Sequence, residues 1–330
     1  MPLLVAVAGV SGRFGRCVVQ ELLKKPDILV RGLVRDSSKV AVVIRSLPAF
    51  ELLEGDVTDS ITLRQLVKGA DVVISALMGS DSFMFEAQKQ LIDLSEEAKV
   101  PRFIASDYTL NYTKLEYGQL PSKDPMKEIY EYLQGKSIKG VHVLIGAFLD
   151  TFWTHWFEIW NPEELSLSFW GTGDEVWELT SYENTAEFVA EVALDNNATG
   201  IQNFVGDRTS IRGIAEIFEE VHGQKPSLKQ LGSLNDLKVV IDSANRGEDP
   251  MTWLPSLVPF LFISLQSKVA CRITCHRFYQ YYCSSGQTHA GPGALGTPYP
   301  ALRHRGVKEY LQNHSMESLA TAMFVVGTKN

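Results

Sequence analysis

The stretch VAVAGVSGRFGRCVVQELL, residues 5–23, constrains this chain more than any other. A short apolar run meets Gly9, Gly12 and Gly15 at three-residue spacing. A segment of helical spacing follows, in which Val18, Val19, Leu22 and Leu23 share a face. Strand, glycine turn and helix together form the arrangement in which backbone N–H groups and a helix N-terminus receive a phosphate. Gly9 lets the chain turn after the strand, Gly12 presents no side chain to the phosphates, and Gly15 lets the helix pack close to the sheet. Ser11, Arg13 and Phe14 complete the turn; Arg13 either reaches a phosphate or stays in solvent. The spacing is G-x-x-G-x-x-G, not the G-x-G-x-x-G of the dehydrogenase fingerprint.

The next 130 or so residues keep the rhythm that this opening sets. Apolar, β-branched runs recur at 3–10, 29–35, 50–57, 71–78, 102–106 and 141–148, each short enough for a buried strand. Segments of helical spacing separate them. Strands alternating with helices predict a doubly wound parallel sheet of the Rossmann type over residues 1–150. After about residue 149 the pattern changes. Short strands are expected at 166–170, 176–180 and 201–206, and helices at 182–195 and 210–222, the second capped by Ser210 and ended near Gly223. Residues 151–330 read as a smaller α+β lobe covering the substrate. Within it 255–306 is irregular. LVPFLFISL at 257–265 carries Pro259, and 284–306 is rich in Gly, Pro, Ser and Thr, as a loop would be.

The ends of the strands choose the cofactor. An acid after the second strand would bind an adenosine 2′-hydroxyl and select NAD. Here the stretch is LVRDSSK, and Arg35 stands where the acid would be expected. A guanidinium suits a 2′-phosphate through paired, charge-assisted bonds. Ser37, Ser38 and Lys39 add donors, so NADP(H) is the expected cofactor. Asp36 either pairs with Arg35 or faces the ribose. After the third strand, Asp56 is positioned to accept from the adenine amino group, with Val57 near the ring; Asp56 also reads as a turn former. After the fourth, Ala76 is small, Leu77 follows it and Gly79 is open, so a nicotinamide ribose can lie against the backbone.

Taken in order, VAGVSGRFG, LVRD, LEGDVTD, VVISALMG, VPRFIASDY and PMKEIYEYL resemble the NmrA-like and isoflavone-reductase-like branch of the atypical short-chain dehydrogenases/reductases, over roughly residues 1–240. The resemblance implies an NADPH-dependent reductase of a carbonyl or conjugated alkene in a small aromatic or polyketide-like molecule, as in specialised (secondary) metabolism. It also admits a regulator that binds NADP without catalysis; an isomerase or epimerase using a bound nicotinamide is a third alternative. It implies that Lys127, in the first turn of the helix after the long loop, contacts the nicotinamide ribose and aids protonation. The residue four before it is Lys123, so the tyrosine of the usual Tyr–Lys dyad is absent there. Tyr132 and Lys136 have the dyad spacing, but Gly135 lies between them at the end of the helix away from the cofactor. The resemblance fades over 255–277, which reads as an insertion or a mis-spliced intron, and returns at FYQYYCSSGQT and GVKEYL.

The loop 107–124, DYTLNYTKLEYGQLPSKD, follows the fifth strand and should border the site. Ser106 can bond a substrate oxygen or cap its strand; Asp107 and Tyr108 can line the pocket or pack the loop. Phe148, Phe152, Trp153, Trp156 and Phe157 form either an apolar wall for an aromatic substrate or plain core. Cys271, Cys275 and His276 lie close together, but no second ligand pair has zinc spacing, so no metal is expected.

A net charge of −8 argues against a general nucleic-acid partner, and no apolar run is long enough for a membrane span. Four sparse cysteines and the absence of a leader-like start point to a reducing, cytoplasmic setting. The expected partner is a small-molecule substrate, bound by a monomer or homodimer.

Overall fold

The computed structural model describes residues 2–245 and 276–319. In chain order, β1 (Leu3–Ala8), α1 (Arg13–Leu23), β2 (Ile28–Val34), the short α2 (Val42–Arg45), β3 (Phe50–Glu54), α3 (Ser60–Val67), β4 (Val72–Ser75), α4 (Asp81–Glu97), β5 (Arg102–Ile104), α5 (Asp124–Gln134) and β6 (Lys139–Leu144) build the first part. There follow β7 (Ala147–Phe148), α6 (Leu149–Phe152), β8 (Trp160–Asn161), β9 (Ser166–Trp170), β10 (Trp177–Thr180), α7 (Tyr182–Leu194), β11 (Gly200–Asn203), β12 (Asp207–Thr209), α8 (Ile211–His222), β13 (Ser227–Gly232) and α9 (Leu234–Asn245). After the gap, residues 276–284 are helical (α10), and α11 (Val307–Gln312) and α12 (Met316–Leu319) end the described chain.

Seven strands form one parallel sheet in the order β11-β6-β5-β4-β1-β2-β3. The order reverses between β1 and β4, and at such a switch point ligands bind beyond the carboxyl ends of the strands. All six apolar runs read from the sequence as strands give a strand to this sheet, the last, 141–148, only through β6, since its end, Ala147–Phe148, is β7 of another sheet. The seventh strand comes from after residue 150, as does α7, which packs on α1.

Alternation along the strands feeds two cores, as a sheet covered on both faces requires. Val5, Val7, Val72, Ile74, Val141 and Val143 meet Val18 and Leu22 of α1 and Phe188 and Val189 of α7. Ala6, Ala8, Val73 and Phe103 meet Leu63, Leu91 and Ile129 from α3, α4 and α5. Arg102 is buried at the start of β5 and donates to the Val192 and Ala193 carbonyls (2.9 and 2.6 Å), placing a cation at the C-terminus of α7.

The second lobe holds two three-stranded sheets, β12-β10-β7 and β13-β9-β8, around a core rich in aromatic rings. The helix expected at 210–222 is α8: Ser210 accepts from the Gly213 N–H, and Gly223 ends it at φ 74°. Residues 285–306 are loop apart from a 3₁₀ turn at Pro292–Leu295. Most of the stretch 255–277, with Cys271 and Cys275, lies outside the described residues.

Candidate active site

The glycine turn is built by close backbone contact. Gly9 leaves β1 at φ 94°, a left-handed conformation costly for other residues, and a Cβ there would stand 2.6 Å from the Ala76 carbonyl oxygen at the exit of β4. A Cβ on Gly15 would stand 2.2 Å from the Gly9 carbonyl oxygen. The exits of β1 and β4 and the first turn of α1 thus touch through their backbones. Arg16 Nε donates to the Ser11 carbonyl (3.0 Å) and holds the turn. Gly12 is the N-cap of α1, exposed, with no side chain capping the helix and no acid in its first turn. The leading N–H groups and the positive end of the helix dipole therefore have no capping side chain or first-turn acid among the described residues, as an anion site requires. Arg13 is half-buried at this turn, and its charge bears on the Tyr182 phenol.

Beyond β2, Asp36 accepts from the Ser38 N–H (3.0 Å) and hydroxyl (2.6 Å), and these bonds hold its carboxyl below the usual range. Asp36 therefore caps the turn Ser37–Lys39 and is not paired with Arg35. The Ser37 N–H faces Glu54 (3.3 Å), while Lys39 is exposed. Arg35 is exposed and makes no hydrogen bond or ion pair among the described residues. Asp56 accepts from the Thr58 N–H and hydroxyl (both 2.8 Å). Those bonds, with a smaller contribution from Arg35, keep it ionised. Val57 is buried with Leu33 and Leu63. At the end of β4, the Ala76 N–H bonds to the Ala8 carbonyl (2.9 Å), and the Leu77 carbonyl accepts from the Ser106 hydroxyl (2.7 Å). Ser106 thus ties the exits of β4 and β5, which is the capping role.

Four rings meet at the same edge. Phe14 lies 4.4 Å from Tyr108, 5.7 Å from Phe148 and 6.0 Å from Tyr182 between centroids, and Phe148 lies 4.3 Å from Tyr182. Tyr108 has φ 41° and donates its phenol to the Ser75 carbonyl (3.0 Å). The other expected wall residues divide. Phe152, Trp153 and Phe157 are buried in the core of the second lobe, so for them the wall reading gives way to core, while Trp156 keeps 36% of its surface exposed.

Lys127 sits in the first turn of α5, half-buried. Its ammonium donates to the Leu115 carbonyl and lies 4.8 Å from the centroid of Tyr117. Tyr117 bonds to Glu131 (2.9 Å), and the Gly118 N–H reaches Asp124 (3.0 Å). The loop 107–124 is thereby clamped to α5. Its other side meets the C-terminal segment, through Thr109 and the Tyr279 hydroxyl, the Asn111 N–H and the Thr288 carbonyl (3.1 Å), and Lys114 and the His289 carbonyl (2.7 Å). Tyr132 and Lys136 both bind Asp93 of α4, far from the carboxyl ends of the strands.

Residues 2–249 match the NmrA-like family. The chain belongs to the NmrA-like family. A 113-residue stretch is 35% identical to the isoflavone reductase homolog IRL of Zea mays, covering 32% of this chain and only 36% of that protein. Among solved structures, an isoflavone reductase aligns at TM-score 0.72 with 17% identity over 95% of this chain and 99% of its own. A protein solved with NADP+ and (+)pinoresinol aligns at TM-score 0.68 with 18% identity, over 95% of this chain and 99% of its own. At these identities the likeness is one of fold.

This NmrA-like protein also carries polar groups whose pairing its sequence does not announce. Asp107 and His142 share a 2.7 Å hydrogen bond with neither side chain exposed, beside Tyr112 (3.4 Å) and the Tyr130 ring. They lie 35 residues apart and meet because the chain leaving β5 continues parallel beside β6. Asp150, wholly buried, accepts from the Tyr182 N–H (2.7 Å), and burial pushes its carboxyl up to about 7. Tyr182 itself joins the four rings only through the packing of α7 on α1; its one sequence signal is Ser181, the cap before it. Cys17 and Cys283 are buried thiols, and burial raises both, so neither is a reactive nucleophile. No group of three His, Cys, Asp or Glu among the described residues could hold a metal ion, and no helix among them is long and apolar enough to cross a membrane.

Proposed function

We propose that this NmrA-like protein is an NADP(H)-dependent oxidoreductase that reduces a carbonyl or conjugated alkene of a small aromatic or polyketide-like molecule in the cytoplasm. The observation that carries the reading is the uncapped glycine turn at the β1–β4 switch point, with an exposed Arg35 at the end of β2 that has no ion-pair partner among the described residues. The residues suit a dinucleotide. Gly9, Ser11, Gly12, Arg13, Phe14 and Gly15 would hold the pyrophosphate, and Arg35 with Lys39 the 2′-phosphate. Asp56 and Val57 would border the adenine, and Ala76 and Leu77 the nicotinamide ribose. The fold relative solved with NADP+ supports the assignment.

When bound, NADPH supplies the hydride, and the protein supplies placement and proton delivery. The uncapped N–H groups of α1 neutralise phosphate charge, and the aromatic edges of Phe148 and Trp156 keep water from a flat substrate. Lys127 is assigned the proton; to deliver it, its ammonium must leave the Leu115 carbonyl. In this proposal residues 1–150 hold the cofactor and the lobe after 150 covers the substrate. That same Lys127–Leu115 bond favours a second reading, a regulator that senses NADP(H) without catalysis.

The test follows NADPH absorbance with a panel of aromatic ketones, quinones and enones. Substrate-dependent consumption that Lys127→Ala abolishes is the expected result. NADPH binding with no turnover of any compound, and no effect of Lys127→Ala, would sink the reductase reading and leave the sensor.

A further inference from the structure

β2 and β3 run side by side, with Val34 opposite Glu54, so the residues that leave the two strands share one edge of the sheet. Over residues 34–39 and 54–57 that edge carries three carboxylates, Asp36, Glu54 and Asp56, against two cations, Arg35 and Lys39. Two of the acids are satisfied within their own turns. Asp36 accepts from the Ser38 N–H and hydroxyl, and Asp56 from the Thr58 N–H and hydroxyl. An aspartate that bonds the backbone two residues on is doing what its short side chain does at a turn.

Glu54 does something else. It ends a strand, and its carboxylate reaches across to the Ser37 N–H, 17 positions back in the chain (3.3 Å). That N–H lies between Arg35 and Lys39. Asp36 already caps the turn Ser37–Lys39, so the turn does not need a second carboxylate. The contact is also long, since charge-assisted bonds usually measure about 2.7–2.9 Å. Glu54 is exposed, and its side chain has no other hydrogen bond or ion pair among the described residues, Arg35 included. A negative charge therefore stands beside the group assigned to the 2′-phosphate, and neither Arg35 nor Lys39 neutralises it.

Given the dinucleotide reading above, on which this rests, we propose that Glu54 is a specificity-determining residue that opposes Arg35. A 2′-phosphate held by Arg35 and Lys39 brings roughly two negative charges to the edge where Glu54 stands. It must displace the carboxylate from the Ser37 N–H or bear its repulsion. A 2′-hydroxyl meets no such opposition, because it can donate to a carboxylate, as the ribose does in NAD-binding folds. Arg35 thus favours NADP(H), and Glu54 keeps that preference from becoming exclusive.

Calorimetric titration of the full chain with NADP+ and with NAD+ tests this on the wild type, Glu54→Gln, Glu54→Lys and Glu51→Gln. A unit charge a few ångströms from a phosphate at a water-exposed edge changes affinity about five- to tenfold. Glu54→Gln, which keeps the shape and an acceptor oxygen, should therefore bind NADP+ about five- to tenfold tighter than wild type. Its NAD+ affinity should stay equal or fall by up to about threefold. Glu54→Lys, which reverses the charge, should gain more for NADP+, and salt of about 0.5 M should shrink both gains by screening. Glu51→Gln removes a charge from the same strand, where Glu51 pairs with Arg31 (2.6 Å), and should leave the ratio of the two affinities as in wild type. An unchanged ratio in both Glu54 variants, or weaker NADP+ binding, would show a mere second cap on the turn and overturn the proposal. An equal gain in Glu51→Gln would show an effect of net charge alone and overturn it as well. Failure of NADP+ and NAD+ to bind even the wild type would instead remove the dinucleotide reading, and the role of Glu54 with it.

Discussion

Gly9→Ala is the sharpest perturbation of the cradle, and its cost divides into two parts. Gly9 holds φ 94°, and a left-handed backbone costs a non-glycine residue roughly 1–2 kcal/mol. The new methyl would also stand 2.6 Å from the Ala76 carbonyl oxygen and 3.0 Å from its carbon, both backbone atoms that cannot rotate away. Forcing the strand exits apart adds about 1–3 kcal/mol, typical of overpacking. The sum, about 2–5 kcal/mol, corresponds in a chain of 330 residues to a fall of roughly 3–7 °C in melting temperature. Gly69→Ala is the control: Gly69 also has a positive φ, 69°, but a Cβ there meets nothing within 4 Å. It should cost only the backbone part, about 1–2 kcal/mol. Differential scanning calorimetry and urea melts of both variants read the difference, and NADP+ titration of Gly9→Ala should show lost affinity. If Gly9→Ala melts no lower than Gly69→Ala and binds as wild type does, the close approach of the β1 and β4 exits is not what fixes the cradle.

Three further outcomes follow from named side chains. Arg35→Asp should leave the melting temperature nearly unchanged, because Arg35 is exposed and has no partner among the described residues. It should cost about 10- to 100-fold in NADP+ affinity, as charge-assisted bonds of roughly 1.5–3 kcal/mol imply, and shift preference toward NAD+ in competitive titration. Asp150 is raised from 3.8 to about 7 by burial, so the folded chain binds more protons than the unfolded chain between those values. Its contribution is full below about pH 4 and is lost as pH rises toward 7, a swing of about 4 kcal/mol at most. Asp150→Asn, which keeps the acceptor for Tyr182, should flatten the fall in stability over that window in pH-dependent melts; a slope identical to wild type would refute the burial argument. In the NADPH turnover assay, Lys127→Ala should lose about 100-fold or more, a usual general-acid contribution, whereas Tyr132→Phe, whose phenol is bound to Asp93, should keep full rate.

The parts of the fold that rest on local needs were readable. Gly9 and Gly15 announce a turn that no side chain fits, Ser210 and Gly223 bracket α8, and runs such as 71–78 alternate with helices as a parallel sheet demands. Position on an element was readable too: Lys127 does open α5. Its aim was not, because that depends on the loop 107–124 folding over the helix and presenting the Leu115 carbonyl and the Tyr117 ring. The same holds for Asp107 and His142, which meet across 35 residues of chain, and for Tyr182, brought to Phe14 by helix packing. The aromatic run at 152–157 carried no period that separates wall from core, and only packing sent Phe152, Trp153 and Phe157 inward while leaving Trp156 outside. The two-residue strands β7 and β8 are too short for any alternation to show.

The most direct test of the account is calorimetric titration of the wild-type chain with NADP+ and, separately, NAD+. An uncapped glycine turn with Arg35 beside it predicts one site per chain and at least about tenfold tighter binding of NADP+, the worth of one charge-assisted contact to the 2′-phosphate. Equal affinity for the two would contradict the role given to Arg35, and no heat with either would contradict the cofactor site itself.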